Sequence, residues 1–272
     1  MCDELPPLVR QAVADMSYYD EHLGARLNQK LVQTGEAVEL ERFAKMGVYG
    51  YAERTTAMSD PEGVFVKVKW VRINKGTQQD PQIKCRLVAQ ELAYGVRMDE
   101  LYANTPSLSC VKMAMVYAGQ QDRHRKLMTL DVQSAFLYGE ARRIIYIELP
   151  TADPQFGGSK VGMLHKALYG TRDAPQIWQH LLRSTLSKFG FRQSELQPSV
   201  YIHDVNEVLI VVHVDDFLVA GSQAALDWTY AEMSKSYDLK RNVISSSACG
   251  DRSVGCLNRR IVSTRDQSLI HI

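Results

Sequence analysis

The chain has no Cys-x-x-Cys pair, no histidine at zinc-finger spacing, no apolar run of membrane-spanning length and no excess of charge of either sign. Its five cysteines, at positions 2, 85, 110, 249 and 256, are odd in number and scattered, which argues against a disulfide framework or a structural zinc site. A membrane helix needs roughly 18 consecutive apolar residues, and no run approaches that length. Met1 to Arg10 carries two acids and no apolar stretch of signal length, so an intracellular, soluble protein is expected. Lys plus Arg number 32 against 31 Asp plus Glu, a formal net charge of +1, so the field of the whole molecule advertises no polyanionic partner. Nucleic-acid binding would have to come from local charge.

Two local groups exist. Lys67, Lys69, Arg72 and Lys75 lead into Lys84 and Arg86, and Arg123, His124, Arg125 and Lys126 form the second. Each reads equally well as a solvated strand or loop face. With 272 residues, 45% of them apolar, the chain has enough material for one large domain or two lobes.

Residues 7–48 read as helix and connector broken at Gly24, Gly35 and Gly47, without chemistry of their own. The run GVFVKVKWVRI, 63–73, alternates valines with lysines and predicts one half-buried strand; IKCRLVAQ, 83–90, predicts its hairpin partner with a basic face. A helix is expected over 107–120, with Val111, Met115 and Ala118 on its buried side, and strands over 127–132 and 144–149. Asp173 followed by Pro175 marks a helix start, Ile177, Leu181, Leu182 and Phe189 its apolar face, and Gly190 its stop. Residues 208–214 and 217–221 are apolar runs interrupted by Asp215 and Asp216, the pattern of a tight hairpin with acids at its tip, and Ser222 caps a following helix. The stretch 241–254 reads as polar and irregular, and 255–270 as a last strand pair around Gln267. Mixed strands and helices without repeats point to an α+β fold.

A paired acid at a turn is usually a solvated turn. Here the flanks are strongly apolar, so two adjacent carboxylates are held close and remain costly unless cations share them. Asp131 also ends an apolar strand. Pairing of that strand with the 208–221 hairpin would bring three carboxylates to one sheet edge, a set suited to two Mg²⁺ ions about 4 Å apart and hence to phosphoryl transfer. A polymerase palm, a nucleotidyl cyclase and other metal hydrolases all remain open at this point.

The blocks KCRLVAQ (84–90), LDVQSAFLYGE (130–140), IYIELP (145–150), LHKALYGTRDAPQIW (164–178) and VHVDDFLVAG (212–221) resemble, in this order and at similar spacing, the reverse transcriptase domain of copia-type retrotransposon polyproteins. The similarity runs more weakly through the strand containing Trp70 and through CLNRRI, 256–261, and so covers roughly residues 40–265. It implies a right-hand polymerase of fingers and palm: an α+β fold with a mixed or antiparallel palm sheet flanked by helices, the thumb truncated or absent. The expected division is a helical and connector segment over 1–48, the polymerase domain over 49–265 and a truncated end over 266–272.

Carried over position by position, the resemblance implies that Asp131, Asp215 and Asp216 are the catalytic metal ligands, with the backbone carbonyl of Val132 nearby. Two Mg²⁺ ions are the implied cofactor, with Mn²⁺ as the alternative. Phe136 falls where such enzymes place an aromatic ring under the sugar, against a ribose 2′-hydroxyl; the plainer reading is a core phenylalanine. Lys84 and Arg86 match a basic strand that contacts the incoming triphosphate, for which a guanidinium offers a bidentate contact; a solvent-facing lysine is the plainer reading of Lys84. Tyr169 and Gly170 lie in a block close to the incoming nucleotide and template. Two departures are evident: His213 stands where the family usually has tyrosine, and Thr171, Arg172 and Asp173 replace a commoner Leu-Lys-Gln. The implied partners are an RNA or DNA template with its primer and a deoxynucleoside triphosphate, without a membrane, and the implied setting is a cytoplasmic virus-like particle or the nucleus. A remnant that keeps the fold and binds nucleic acid without turnover is the competing expectation. A palm-like cyclase gives no role to the KCRLVAQ and LYGTRDAP blocks.

Overall fold

The computed structural model describes residues 17–91, 106–119, 125–244, 253–256, 259–263 and 269–271. Met1–Arg10 with Cys2, Arg123, His124, residues 245–252 with Cys249, and Gln267, all read above, lie outside the described residues. In chain order the elements are helix α1 (Gln29–Met46), strand β1 (Tyr49–Glu53), helix α2 (Arg54–Ser59), and strands β2 (Val64–Val66), β3 (Val68–Asn74) and β4 (Ile83–Ala89). Helix α3 (Leu108–Ala118), strand β5 (Lys126–Val132), a 3-10 turn (Ala135–Tyr138), strands β6 (Ile145–Ile147) and β7 (Lys160–Leu164) and helix α4 (Ala174–Lys188) follow. Strands β8 (Arg192–Gln193), β9 (Val200–His203), β10 (Val208–His213) and β11 (Asp216–Gly221), helix α5 (Gln223–Ser234), and strands β12 (Leu239–Ile244), β13 (Ser253–Cys256), β14 (Arg259–Ser263) and β15 (Leu269–His271) complete the order.

The elements fall into two compact units, the first made of Met1–Leu92 with Ala141–Thr171. It holds the antiparallel β3–β4 ribbon, in register from Val68↔Ala89 to Asn74↔Ile83, and a four-stranded sheet ordered β1-β7-β6-β2. Helix α1 starts where the Asn28 side chain accepts from the N–H groups of Lys30 and Leu31, and ends at Gly47, whose φ of 63° suits glycine. The helix lies against the ribbon face that buries Cys85 and Leu87. A Cβ on Gly35 would sit 2.9 Å from Cys85 Sγ, so only glycine lets the helix approach this closely. The interface also buries charge: Arg72 donates through Nε to Glu36 at 2.7 Å, while Glu39 lies 3.6 Å from Arg42. Among the described residues Glu39 Oε1 has no hydrogen-bond partner, and burial raises its carboxyl above the usual glutamate range against the pull of Arg42, Arg86 and Lys84.

One expectation is corrected here. Residues 63–73 form two strands rather than one: β2 pairs in parallel with β6, and β3 joins the ribbon. The break falls at Lys67, whose carbonyl accepts from the Gln90 N–H at 2.7 Å. The alternation of valines is continuous across this point, so periodicity alone gave no sign of a change of sheet.

The second unit comprises Ala93–Glu140 and Arg172–Ile272. Its six-stranded antiparallel sheet is ordered β12-β5-β11-β10-β9-β8. Successive residues alternate between two faces. Met128, Leu130, Val132, Ile210, Val212, Phe217 and Val219 pack with Trp178, Leu182 and Leu186 of α4 and with Leu226 and Met233 of α5. Leu127, Leu209, Val211, Leu218 and Ala220 pack with α3 on the other face. Each fully buried aliphatic side chain contributes about 1.5–3 kcal/mol, so this doubly covered sheet is the stable platform of the unit.

A second correction concerns 241–254, expected to be irregular. Residues 241–244 belong to β12, paired with β5 from Leu239↔Val132 to Ile244↔Leu127. Lys240, Arg241 and Asn242 are exposed, so backbone pairing rather than apolar alternation makes this strand, and basic residues suit a sheet edge. The α+β architecture, with mixed and antiparallel sheets flanked by helices, is as expected.

Candidate active site

The register of β10 and β11 ends at His213↔Asp216, which leaves Val214 and Asp215 as a two-residue loop. Such loops need a positive φ at their first position, normally supplied by glycine. Val214 has φ 55°, in a region that β-branched residues rarely enter. A residue held there stores about 1–3 kcal/mol of strain. The Trp178 indole N–H donates to the Val214 carbonyl at 2.7 Å and holds the turn from the α4 face.

On β5, Asp131 stands directly opposite Asp216. The Val132 N–H donates to the Asp215 carbonyl at 2.9 Å, so Asp131 and Asp216 form a non-hydrogen-bonded pair. In such pairs the Cα atoms are about 4.5 Å apart and the side chains approach most closely. Two like charges in this position oppose each other. The row continues on both sides: His213 is opposite Asp216, and Lys240 of β12 is opposite Asp131. Cross-strand partners share a sheet face, so His213, Asp216, Asp131 and Lys240 form one line across four strands, on the face that carries α3 further along. Gln133 donates through Nε2 to Asp131 Oδ2 at 2.7 Å and fixes the orientation of that carboxylate.

Among the described residues, no three His, Cys, Asp or Glu side chains stand as a group that would hold a metal ion. What the backbone supplies is the row: two opposed carboxylates, a third at the adjoining loop position, and the buried Val132 whose N–H secures that loop. Oxygen donors of this kind suit Mg²⁺, which takes few protein carboxylates, and a divalent cation would relieve the repulsion between Asp131 and Asp216. In donor chemistry, though not as side chains gathered into one metal-holding group, the set suits the expected metal.

Phe136, in the 3-10 turn, is half-buried and packs against the α4-side core, so part of its ring serves the interior. In the first unit, Lys84 and Arg86 share the ribbon face opposite the buried Cys85 and Leu87. The Arg86 guanidinium lies 5.3 Å over the Tyr169 ring, a contact that orients it. The Tyr169 backbone carbonyl accepts the Ala89 N–H at 2.7 Å. Gly170 has φ 83°, and a Cβ there would meet the Ala89 carbonyl at 2.0 Å, so this block docks on β4 only through glycine. Each unit thus gathers its own share of the residues singled out in the sequence.

The second basic group behaves otherwise. Arg125 pairs with Glu207 at 2.7 Å and lies 3.8 Å over the Tyr117 ring, and Lys126 donates to Gln223. Its described members hold the sheet end together. In the first group, Lys69 pairs with Glu21 and Arg72 with Glu36. Sequence reasoning missed Gln133, Trp178 and Lys240. Gln133 follows Asp131 by two residues, a spacing that marks a local side-chain partner; the other two become visible only through cross-strand register and packing.

A family model described as reverse transcriptase (RNA-dependent DNA polymerase) matches residues 56–248. The chain is 29% identical over 213 residues to the retrovirus-related Pol polyprotein from transposon TNT 1-94 of Nicotiana tabacum, an alignment covering 74% of this chain and 15% of that protein. It is 33% identical over 172 residues to the corresponding polyprotein from transposon RE1 of Arabidopsis thaliana, covering 60% of this chain and 11% of the relative. It therefore spans only a small part of these polyproteins. Among solved structures, telomerase from Candida albicans in complex with the TWJ fragment of telomeric RNA is similar, with a TM-score of 0.56 and 10% identity, over 97% of this chain and 54% of that one. Apo telomerase from Candida tropicalis truncated from its C-terminal domain gives 0.52 at 10% identity, over 97% and 65%. At that identity the likeness concerns the fold.

Proposed function

The chain belongs to the reverse transcriptase (RNA-dependent DNA polymerase) family, and from that premise we propose that it carries out template-directed DNA synthesis as part of a copia-type retrotransposon polyprotein. The primer 3′-hydroxyl attacks the α-phosphorus of a deoxynucleoside triphosphate, and pyrophosphate leaves. The observation that carries this reading is the direct opposition of Asp131 and Asp216 beside Asp215. We assign the polymerase domain to residues 49–265, with 1–48 as a helical and connector segment. The setting we propose is intracellular, a cytoplasmic virus-like particle or the nucleus.

Two Mg²⁺ ions, or Mn²⁺ in their place, would supply Lewis-acid activation of the attacking hydroxyl and charge neutralisation at the leaving oxygens. Asp131, Asp215, Asp216 and the Val132 carbonyl are the groups that would hold them. Lys84 and Arg86 contact the triphosphate oxygens, with the Tyr169 ring keeping the Arg86 fork oriented. The part of the Phe136 ring left outside the core excludes a 2′-hydroxyl. Tyr169 and Gly170 line the nucleotide and template side. No side-chain nucleophile is required, so catalysis is positioning and charge stabilisation. Template and primer binding weakens as salt rises.

The test is primer extension on poly(rA)/oligo(dT) with Mg²⁺, comparing the chain with Asp215→Asn. Extension by the parent and its loss in the variant are expected. Duplex binding without extension, unchanged by the substitution, would instead identify a remnant that retains the fold and has lost turnover.

A further inference from the structure

The central peptide of the acid turn joins Val214 to Asp215, and its carbonyl is the one that accepts the Trp178 N–H. A flip of that peptide would change ψ of Val214 and φ of Asp215 and so re-aim the Asp215 carboxylate, in a turn already strained by the positive φ of Val214. Trp178 is 1% exposed, and a buried indole N–H needs an acceptor, so each group fixes the other. The indole also packs edge-on to Tyr237 at 5.2 Å, and Tyr237 to Tyr138 at 5.1 Å. The Tyr138 hydroxyl accepts the Asp238 N–H at 2.8 Å, the Asp238 carbonyl accepts the Gln133 N–H at 2.9 Å, and Gln133 Nε2 reaches Asp131. An unbroken series of contacts therefore runs behind the sheet from the Val214–Asp215 turn to Asp131.

We propose that Trp178 is a positioning residue that sets the spacing of Asp215 and Asp216 relative to Asp131, and with it the divalent-cation affinity of the acid row. The proposal deepens the polymerase reading and rests on it. Trp178→Phe keeps a ring in the core and deletes the donor. Mn²⁺ titration of the full chain followed by water-proton relaxation should show about five- to tenfold weaker binding in this variant. In primer extension kcat should fall while KM for the nucleotide stays within about twofold, the split expected when an interaction matters to the transition state rather than to substrate binding. In a Val214→Gly background the turn no longer needs holding, and the same substitution should change Mn²⁺ affinity by less than about twofold. Should Trp178→Phe fail to fold, Tyr138→Phe, which removes the acceptor at the other end of the series, should still weaken Mn²⁺ binding about two- to threefold.

Wild-type Mn²⁺ affinity in a folded Trp178→Phe chain, or an equal loss in the Val214→Gly background, overturns the proposal. Asp215→Asn separates the two layers: if it leaves both Mn²⁺ binding and extension intact, the polymerase reading fails whatever Trp178 does.

Discussion

The β3–β4 ribbon and the β10–β11 hairpin are both antiparallel pairs packed under a helix, yet they arrange charge in opposite ways. In the ribbon unit, charges meet their opposites: Arg72 meets Glu36 and Lys69 meets Glu21. At the hairpin, Asp216 is set across from Asp131, acid against acid. Ion pairs of the first kind serve the fold, and losing one partner hurts it. The facing acids of the second kind oppose the fold, and their row is framed by Lys240 and Gln133 and held by Trp178 and a doubly covered sheet.

Substitutions should split along this line. Asp131→Asn is expected to reduce primer extension by about a thousandfold or more, while without divalent cation it raises unfolding stability by about 0.5 kcal/mol. A urea titration that found this variant destabilised would break the contrast. Glu36→Gln should go the other way and cost about 3 kcal/mol, because Arg72 remains ionised and would be left in a mostly buried site without its partner. Burial raises the Glu36 carboxyl as well. Unlike Glu39, Glu36 accepts the Arg72 Nε–H at 2.7 Å, and the loss of that charge-assisted bond outweighs the relief of its own desolvation.

The smallest effect sharpens the comparison, since Glu39 lies in the ribbon unit but meets Arg42 only at 3.6 Å and leaves one carboxylate oxygen without a hydrogen bond among the described residues. Its folded carboxyl is raised, so the stability linked to its proton is fully present below the unfolded value and is lost as pH rises through the folded value. Glu39→Gln should therefore be more stable than the parent at pH 7, by about 1 kcal/mol, with the gap closing as the pH falls into the usual glutamate range. Urea midpoints at pH 7 and pH 4.5 check this; a less stable variant at pH 7 would show that Arg42 outweighs burial.

Much of this arrangement could be read from the sequence. The apolar runs 208–214 and 217–221 around two acids, and 127–132 ending in a third, specified both strands and their tips, because a sheet buried on both faces leaves a near-continuous apolar run. The helix from Asp173 followed from its start signal and its stop at Gly190. Strand β12 was not legible: Leu239, Lys240, Arg241 and Asn242 follow no period, and an edge strand can draw its stability from one neighbour's backbone. Nor was the anchor of the turn, since Trp178 and Val214 are far apart in sequence and Val214 would be read as an ordinary strand residue. Nor does anything within residues 7–48 single out Glu36 and Glu39, since the ribbon that buries them is distant in the chain.

The unit that contains the ribbon is assembled from two stretches of chain, with Ala93–Glu140 between them belonging elsewhere. Strand β1 pairs along its whole length with β7, Tyr49 with Leu164 and Glu53 with Lys160. On a ribosome, the ribbon and α1 can form early, but β1 must wait, without its one sheet neighbour, until more than a hundred further residues have been made. By then β5, with its aspartate, has already emerged, while its own neighbours β11 and β12 are still to be translated. Birth order thus obliges the nascent protein to carry two unfinished sheets at once, and the interval between residues 53 and 160 is when a chaperone would have most to shield.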